Sequence, residues 1–246
     1  KRWLALPLKS VEQINERHEA VNYFVQHNEL RLKINLLLKE VGDLERLISK
    51  VAAARVNPRE LVQLKRSLNI IEQLKLEMSV VEPASLKKIA DQLNACALIK
   101  DKLEREINEE APVNILKGDV IKAGVNAELD ELRSIAYSGK DYLIQIQQRE
   151  SANTGIPSLK ISYNNVFGYY LEVTNAHKDK VPQEWIRKQT LTNAERYITP
   201  ELKNYEEKIL GAEEKITALE QQLFEAVIRD VSDYIVPIQL NAGLVA

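Results

Sequence analysis

Seven consecutive residues, Arg187-Lys188-Gln189-Thr190-Leu191-Thr192-Asn193, gather two cations with amide and hydroxyl donors on one short segment. Guanidinium, ammonium, amide and hydroxyl groups are the donors that meet phosphate oxygens in nucleic-acid complexes. The chemistry on offer is therefore contact with a phosphate backbone, and not bond making. An ordinary solvated strand end carries the same residue types, so the segment alone leaves both readings open. Tyr163, Tyr169 and Tyr170 lie upstream. They suit stacking on bases and equally suit packing across strands.

Catalytic machinery is missing from the sequence. No Gly-x-x-x-x-Gly-Lys-Ser/Thr phosphate loop occurs, and no Gly-x-Gly-x-x-Gly. His18, His27 and His177 are isolated, without ligand spacing around them. The carboxylates stand beside Lys and Arg on helical faces and read as solvated ion pairs. Cys96, the only cysteine, excludes an internal disulfide and suits a reducing cytosol. Its neighbours Ala95, Ala97 and Leu98 make it a buried, inert thiol. Over 246 residues the formal charge is −2, which excludes global attraction to nucleic acid. Between Ile156 and Pro200 six cations meet four acids, which leaves that stretch at about +2 and the remainder at about −4.

The elements that must position the cluster follow from periodicity. Leu159, Ile161 and Tyr163 alternate with Lys160 and Ser162, and Tyr169, Leu171 and Val173 alternate with Tyr170, Glu172 and Thr174. A period of two predicts strands half-buried on one face, with Asn164, Asn165 and Gly168 turning the chain between them. Long helices flank this tip. Asn126 caps the first, whose apolar stripe is Leu129, Leu132, Ala136, Gly139, Leu143 and Ile146. Thr199-Pro200-Glu201 starts the second, with Leu202, Tyr205, Ile209, Ala212, Ile216, Leu219, Leu223 and Ala226 at coiled-coil spacing. Neither stripe is stable in water, so the two helices are predicted to pair antiparallel, each roughly 35–45 Å long.

The first half is predicted to be a helical array. Ser10 and Gln13 form a capping-box pattern before a helix to Gln26. Leu30, Leu32, Ile34, Leu36, Leu37 and Leu38 suggest a second helix buried on several sides and ended by Gly42. Asp43 caps a short helix, and Asn57-Pro58-Arg59-Glu60 starts a longer one through Leu61, Leu64, Leu68, Ile71 and Leu74. Two shorter helices follow near Pro83–Leu93 and Ala95–Ile107. Lys117-Gly118-Asp119 between apolar pairs predicts a small hairpin near 113–121. The fold class is thus mainly α. Its parts are a helical core over 1–125, an outgoing helix over 126–155, an inserted antiparallel β unit over 156–199, and a returning helix over 200–246 that re-enters the core. No apolar run approaches the roughly 20 residues that span a bilayer. The opening Lys1-Arg2-Trp3-Leu4 carries neither an initiator Met nor a signal-peptide pattern, as expected of a piece of a longer protein.

The β unit also resembles the clamp of the MutS family of bacterial DNA mismatch-repair proteins. The matching residues are Leu159-Lys160-Ile161, Asn164, Gly168-Tyr169-Tyr170, Arg187-Lys188-Gln189-Thr190-Leu191 and Asn193-Ala194-Glu195-Arg196-Tyr197. The match continues through Ile198-Thr199-Pro200-Glu201-Leu202-Lys203 and Tyr205-Glu206. Arg2-Trp3-Leu4, Pro7-Leu8, Val41-Gly42-Asp43-Leu44-Glu45-Arg46 and Glu128-Leu129-Asp130-Glu131 extend it over nearly the whole chain.

The resemblance implies a core, two lever helices and a clamp that holds the DNA backbone without reading sequence. It carries backbone contact onto Arg187, Lys188, Gln189, Thr192 and Asn193. Thr192 stands where some relatives have a lysine. The resemblance further implies a cytoplasmic homodimer that binds duplex DNA and a MutL-type repair partner. Its DNA-dependent ATPase, with ATP and Mg, belongs to regions this chain lacks, as does the mismatch-probing Phe-x-Glu motif. No enzyme activity is expected of the segment itself, and no membrane contact. Two alternatives stay open: a coiled-coil scaffold whose β tip docks a protein, and an RNA-binding helical arm.

Overall fold

The computed structural model describes residues 7–246, so Arg2-Trp3-Leu4 lies outside the described residues. The chain divides into two compact units, one of residues 1–125 with 221–246 and one of residues 126–220. It is mainly α, with one small antiparallel sheet.

Local capping chemistry sets where the first unit's helices begin. Helix α1 (Val11–Gln26) starts on Ser10, whose hydroxyl accepts from the Gln13 amide at 3.5 Å. After α2 (Asn28–Glu40), α3 (Leu44–Ala52) starts on Asp43, which accepts from the Arg46 amide at 2.9 Å. Helix α4 (Pro58–Ser79) carries a complete capping box: Asn57 accepts from the Glu60 amide and Glu60 accepts from the Asn57 amide, each at 3.1 Å. Leu61, Leu64, Leu68, Ile71 and Leu74 of α4 are buried and form the centre of the core with Leu44, Leu47 and Ile48. Helices α5 (Ala84–Gln92) and α6 (Ala97–Glu106) pack on it.

Two expectations for this unit need correction. Helix α2 is not buried on several sides: Ile34 alone is buried, while Leu32 and Leu36 are 51% and 61% exposed. Only the stripe through Leu30, Ile34 and Leu37 turns inward, and a helix at the edge of an array, with its outer face in water, buries one stripe. The hairpin expected near 113–121 is a single 3₁₀ turn, Ile115–Lys117. Gly118 and Asp119 both adopt left-handed conformations, and the chain then pairs back on the end of α6 through one bridge, Ile107 with Ile121. Val120 and Ile121 are buried, whereas Val113 and Leu116 are exposed, so burial selects that pairing.

The second unit is built on two helices. Helix α7 (Ala127–Thr154) starts on Asn126, which accepts from the Leu129 amide at 2.9 Å, and ends at Gly155 in a left-handed conformation. Helix α8 (Pro200–Ser232) starts on Thr199, whose hydroxyl accepts from the Leu202 amide at 3.1 Å. Their contacts run in opposite chain order. Arg149 meets Glu201, Tyr142 stacks on Tyr205 at 3.9 Å, Lys140 meets Glu213 at 2.7 Å and Arg133 meets Glu220 at 2.5 Å. The pair is therefore antiparallel. Leu143, Ile146, Leu202 and Ile209 face one another as the stripes predicted.

Burial follows the predicted stripe of α8 as far as Ala212. Past Glu220 it moves to Phe224, Val227, Ile228 and Val231, which belong to the first unit. Glu206 and Glu220 of α8 are also buried, which corrects their reading as solvated helix charges. Helix α9 (Ile235–Val245) closes the first unit, where buried Asn241 and the Asn94 backbone exchange two hydrogen bonds of 2.9 and 2.7 Å. Among the described residues no helix is long and apolar enough to cross a membrane.

Candidate nucleic-acid interface

The sheet joins β1 (Lys160–Asn164), β2 (Gly168–Thr174), β3 (Ile186–Thr190) and β4 (Ala194–Ile198), all antiparallel, in the order β1-β2-β4-β3. One face carries Leu171, Val173 and Tyr197, packed with Trp185 onto Leu143, Ile146, Leu202 and Ile209 of the helices. This is the side that the predicted alternation assigns to the core.

Strand β3 lies at the sheet edge and holds Arg187, Lys188 and Gln189. Arg187 pairs with Tyr197, but Gln189 pairs with Arg196, so Lys188 is the extra residue of a β-bulge. The bulge shifts the alternation. Arg187 sides with Tyr197, and Gln189 is turned to the opposite face, where its carbonyl accepts from the Arg196 guanidinium at 2.9 Å. Arg196 also donates to Glu172 at 3.1 Å and sits 4.4 Å over the Tyr170 ring. Tyr170 is thereby buried although it falls on the predicted polar face. Tyr163 and Tyr169 lie directly opposite in the register and make an edge-to-face contact at 5.0 Å, so these aromatics pack across strands.

The turn after β3 is fixed through its backbone. The Leu191 amide donates to the Ala194 carbonyl at 2.8 Å. Asn175, which opens the 3₁₀ turn Asn175–Lys180, donates its amide to the Asn193 carbonyl at 3.1 Å and its side chain to the Thr192 carbonyl at 2.9 Å. Thr192 and Asn193 are exposed, as are Arg187 and Lys188. Four of the five residues named from the sequence are thus exposed on the β3–β4 hairpin, Arg187 and Lys188 near the start of its edge strand and Thr192 and Asn193 in the turn at its end, and Gln189 is engaged by Arg196.

Sequence reading missed the residues that shape this end. Asn175 holds the turn, and Glu195 bridges the strands: Arg187 donates to its carboxylate at 3.3 Å and the Tyr197 hydroxyl donates to its other oxygen. That hydroxyl, then the charges of Arg187 and Lys178, hold the Glu195 carboxyl below the usual carboxylate range. Burial and the adjacent Glu195 push the Tyr197 phenol up to about 12. A Glu-x-Tyr spacing on a strand, which puts both side chains on one face, is the sequence signal for this contact.

The opposite end of the sheet is tied to α8. Buried Glu206 accepts from the Tyr169 amide at 2.5 Å and from Lys203 at 2.7 Å, and Lys203 also donates to the Phe167 carbonyl at 2.8 Å. Gly168 makes this close approach possible: its φ is 74°, and a Cβ there would run into the Glu206 carboxylate. Among the described residues no group of three or more His, Cys, Asp or Glu side chains is placed to hold a metal ion.

Comparison with known proteins agrees with this architecture. Residues 124–215 match the family described as MutS family domain IV. The chain is 59% identical over 245 residues to the DNA mismatch repair protein MutS of Parabacteroides distasonis and 59% identical over 246 residues to that of Bacteroides thetaiotaomicron. It is 58% identical over 247 residues to that of Flavobacterium psychrophilum. Each alignment covers 100% of this chain and 28% of the relative, so the chain spans little more than a quarter of the length of these proteins. By sequence match over its whole length, this chain belongs to the MutS family, of which it is a central segment.

Proposed function

We propose that this segment serves DNA mismatch repair by gripping duplex DNA through its phosphate backbone, without reading sequence. The observation that carries the reading is the bulged edge hairpin, which exposes Arg187 and Lys188 along its outer strand and Thr192 and Asn193 in its turn, with Asn175 fixing that turn. Gln189 contributes by orienting Arg196. In this reading the parts are a core over 1–125, an outgoing lever helix over 126–155, a clamp over 156–199 and a returning lever helix over 200–246. The lever helices couple DNA held at the clamp to an ATPase in the rest of the protein.

ATP and Mg bind there and not here, because this chain has no phosphate loop to hold them. The segment itself is not catalytic. The full-length protein acts in the cytoplasm as a homodimer and engages a MutL-type repair partner. Mismatch discrimination lies outside this segment too.

The test is a fluorescence-anisotropy titration of the full-length protein onto labelled duplex DNA at several salt concentrations, with and without Arg187→Glu/Lys188→Glu. The double variant should bind more weakly. Its salt slope should fall by about two, at roughly 0.9 for each phosphate no longer neutralised. It should weaken matched and mismatched duplex alike. A double variant with the parent's affinity and slope would overturn the reading and favour a protein partner at the sheet.

A further inference from the structure

The hairpin sets a mostly buried carboxylate, Glu195, against one of its exposed cations, Arg187. Of the six basic side chains in the tip, Arg196 is committed to Glu172, Gln189 and the Tyr170 ring, and Lys180 donates to the Gly155 carbonyl. Arg187 is the cation that bridges sheet and solvent: its side chain is 61% exposed, yet it already donates to Glu195. The Glu195 side chain is 12% exposed and lies across the register from Thr190. Its second oxygen accepts from the hydroxyl of Tyr197, a residue packed in the core of this unit. A carboxylate held from behind by a buried phenol is fixed in place. It cannot swing away when an anion reaches Arg187, so the two anions would share one guanidinium at close range.

We propose that Glu195 is a built-in brake on the backbone grip, a fixed carboxylate that competes with DNA phosphate for Arg187 and keeps the contact weak and quickly released. The inference rests on the backbone-contact reading above. A protein that must hold DNA without regard to sequence has use for such a limit, because tight backbone contact anywhere would hold it in place everywhere. Tyr197 is the positioning residue of the device, since it fixes the direction in which the carboxylate points.

The experiment uses the full-length protein in five forms: parent, Arg187→Ala, Glu195→Gln, Glu195→Ala and the Arg187→Ala/Glu195→Gln double variant. Glutamine keeps an acceptor for Tyr197 and removes the charge. Glu195→Ala is the second variant and shifts binding in the same direction. Duplex affinity is measured by anisotropy and dissociation by stopped flow, with melting curves to establish folding.

Glu195→Gln should bind roughly three- to tenfold tighter at low salt, as expected for removing one like charge a few ångströms from a phosphate at the protein surface. The gain should appear as slower dissociation and shrink as salt screens it. In the Arg187→Ala background the gain should fall below about twofold, since the shared guanidinium is gone. Glu195 variants that bind like the parent or more weakly, beside an Arg187→Ala protein that binds more weakly, refute the brake alone. An Arg187→Ala protein that binds like the parent refutes the backbone-contact reading and the brake with it.

Discussion

Gly139→Ala should weaken the α7–α8 pair even though alanine is the better helix former. A Cβ on Gly139 would stand 2.5 Å from Cγ1 of Ile209 and 3.1 Å from its Cδ1. Two effects oppose each other. Replacing glycine inside a helix gains about 0.8–1.0 kcal/mol of propensity. Forcing an extra methyl into a packed core costs about 1–3 kcal/mol. The second effect wins here because Ile209 cannot yield: it is fully buried, and β-branching restricts its χ1.

The net loss is therefore about 1 kcal/mol, or a few degrees in melting temperature for a unit of this size. Urea unfolding followed by circular dichroism measures it. The midpoint should fall with an unchanged slope. Ile209→Ala should suppress the effect, so that the double variant costs at least about 1 kcal/mol less than the two single losses together. A Gly139→Ala protein that gains the full propensity term would refute the claim that the helices are in close contact at this point.

Three further outcomes follow from single sites. Glu206→Ala removes a charge-assisted acceptor from the Tyr169 amide and a partner from Lys203, so unfolding should be easier by about 1.5–3 kcal/mol, and hydrogen exchange at the Tyr169 amide should rise sharply. Burial pushes the Cys96 thiol up to about 11 from an ordinary value of 9.0, so its contribution to stability is complete below pH 9 and is lost as pH rises through 11. A thiol reagent at pH 8 should accordingly label it only as fast as the first unit opens, and rapid labelling of folded protein would contradict its burial. Ile216→Pro breaks α8 at a cost of about 3 kcal/mol or more and should abolish nucleotide-dependent clamping in the full-length protein. Intact clamping would sink the lever coupling.

What could be read from sequence was local. Asn57, Asn126 and Thr199 cap helices because their oxygens satisfy amides two or three residues on, and that geometry needs no neighbour. The alternation of Leu171 and Val173 named the core face of the sheet for the same reason. Features that depend on a partner strand or helix were hidden. Lys188 is a bulge only because Gln189 pairs with Arg196, and that register is absent from the order of residues in β3. Tyr170 is buried because Arg196 arrives from another strand. The outer leucines of α2 looked like core because composition does not say how many sides of a helix are covered. Glu206 and Glu220 looked solvated because their partners, the Tyr169 amide and Arg133, come from elsewhere in the unit. The cation cluster was legible, but the Glu195 carboxylate that moderates it was not, since its effect comes from pairing and not from position.

Whether the hairpin end touches DNA can be settled by site-specific photo-cross-linking. A photoreactive residue is placed at Thr192 of the full-length protein, and a control at Val80, which is 82% exposed in the first unit. Both are irradiated on duplex DNA with and without competing salt. A backbone grip at the hairpin predicts a salt-sensitive cross-link from position 192 to both matched and mismatched duplex, well above that from position 80. No cross-link at 192 under conditions where the protein is bound would contradict it.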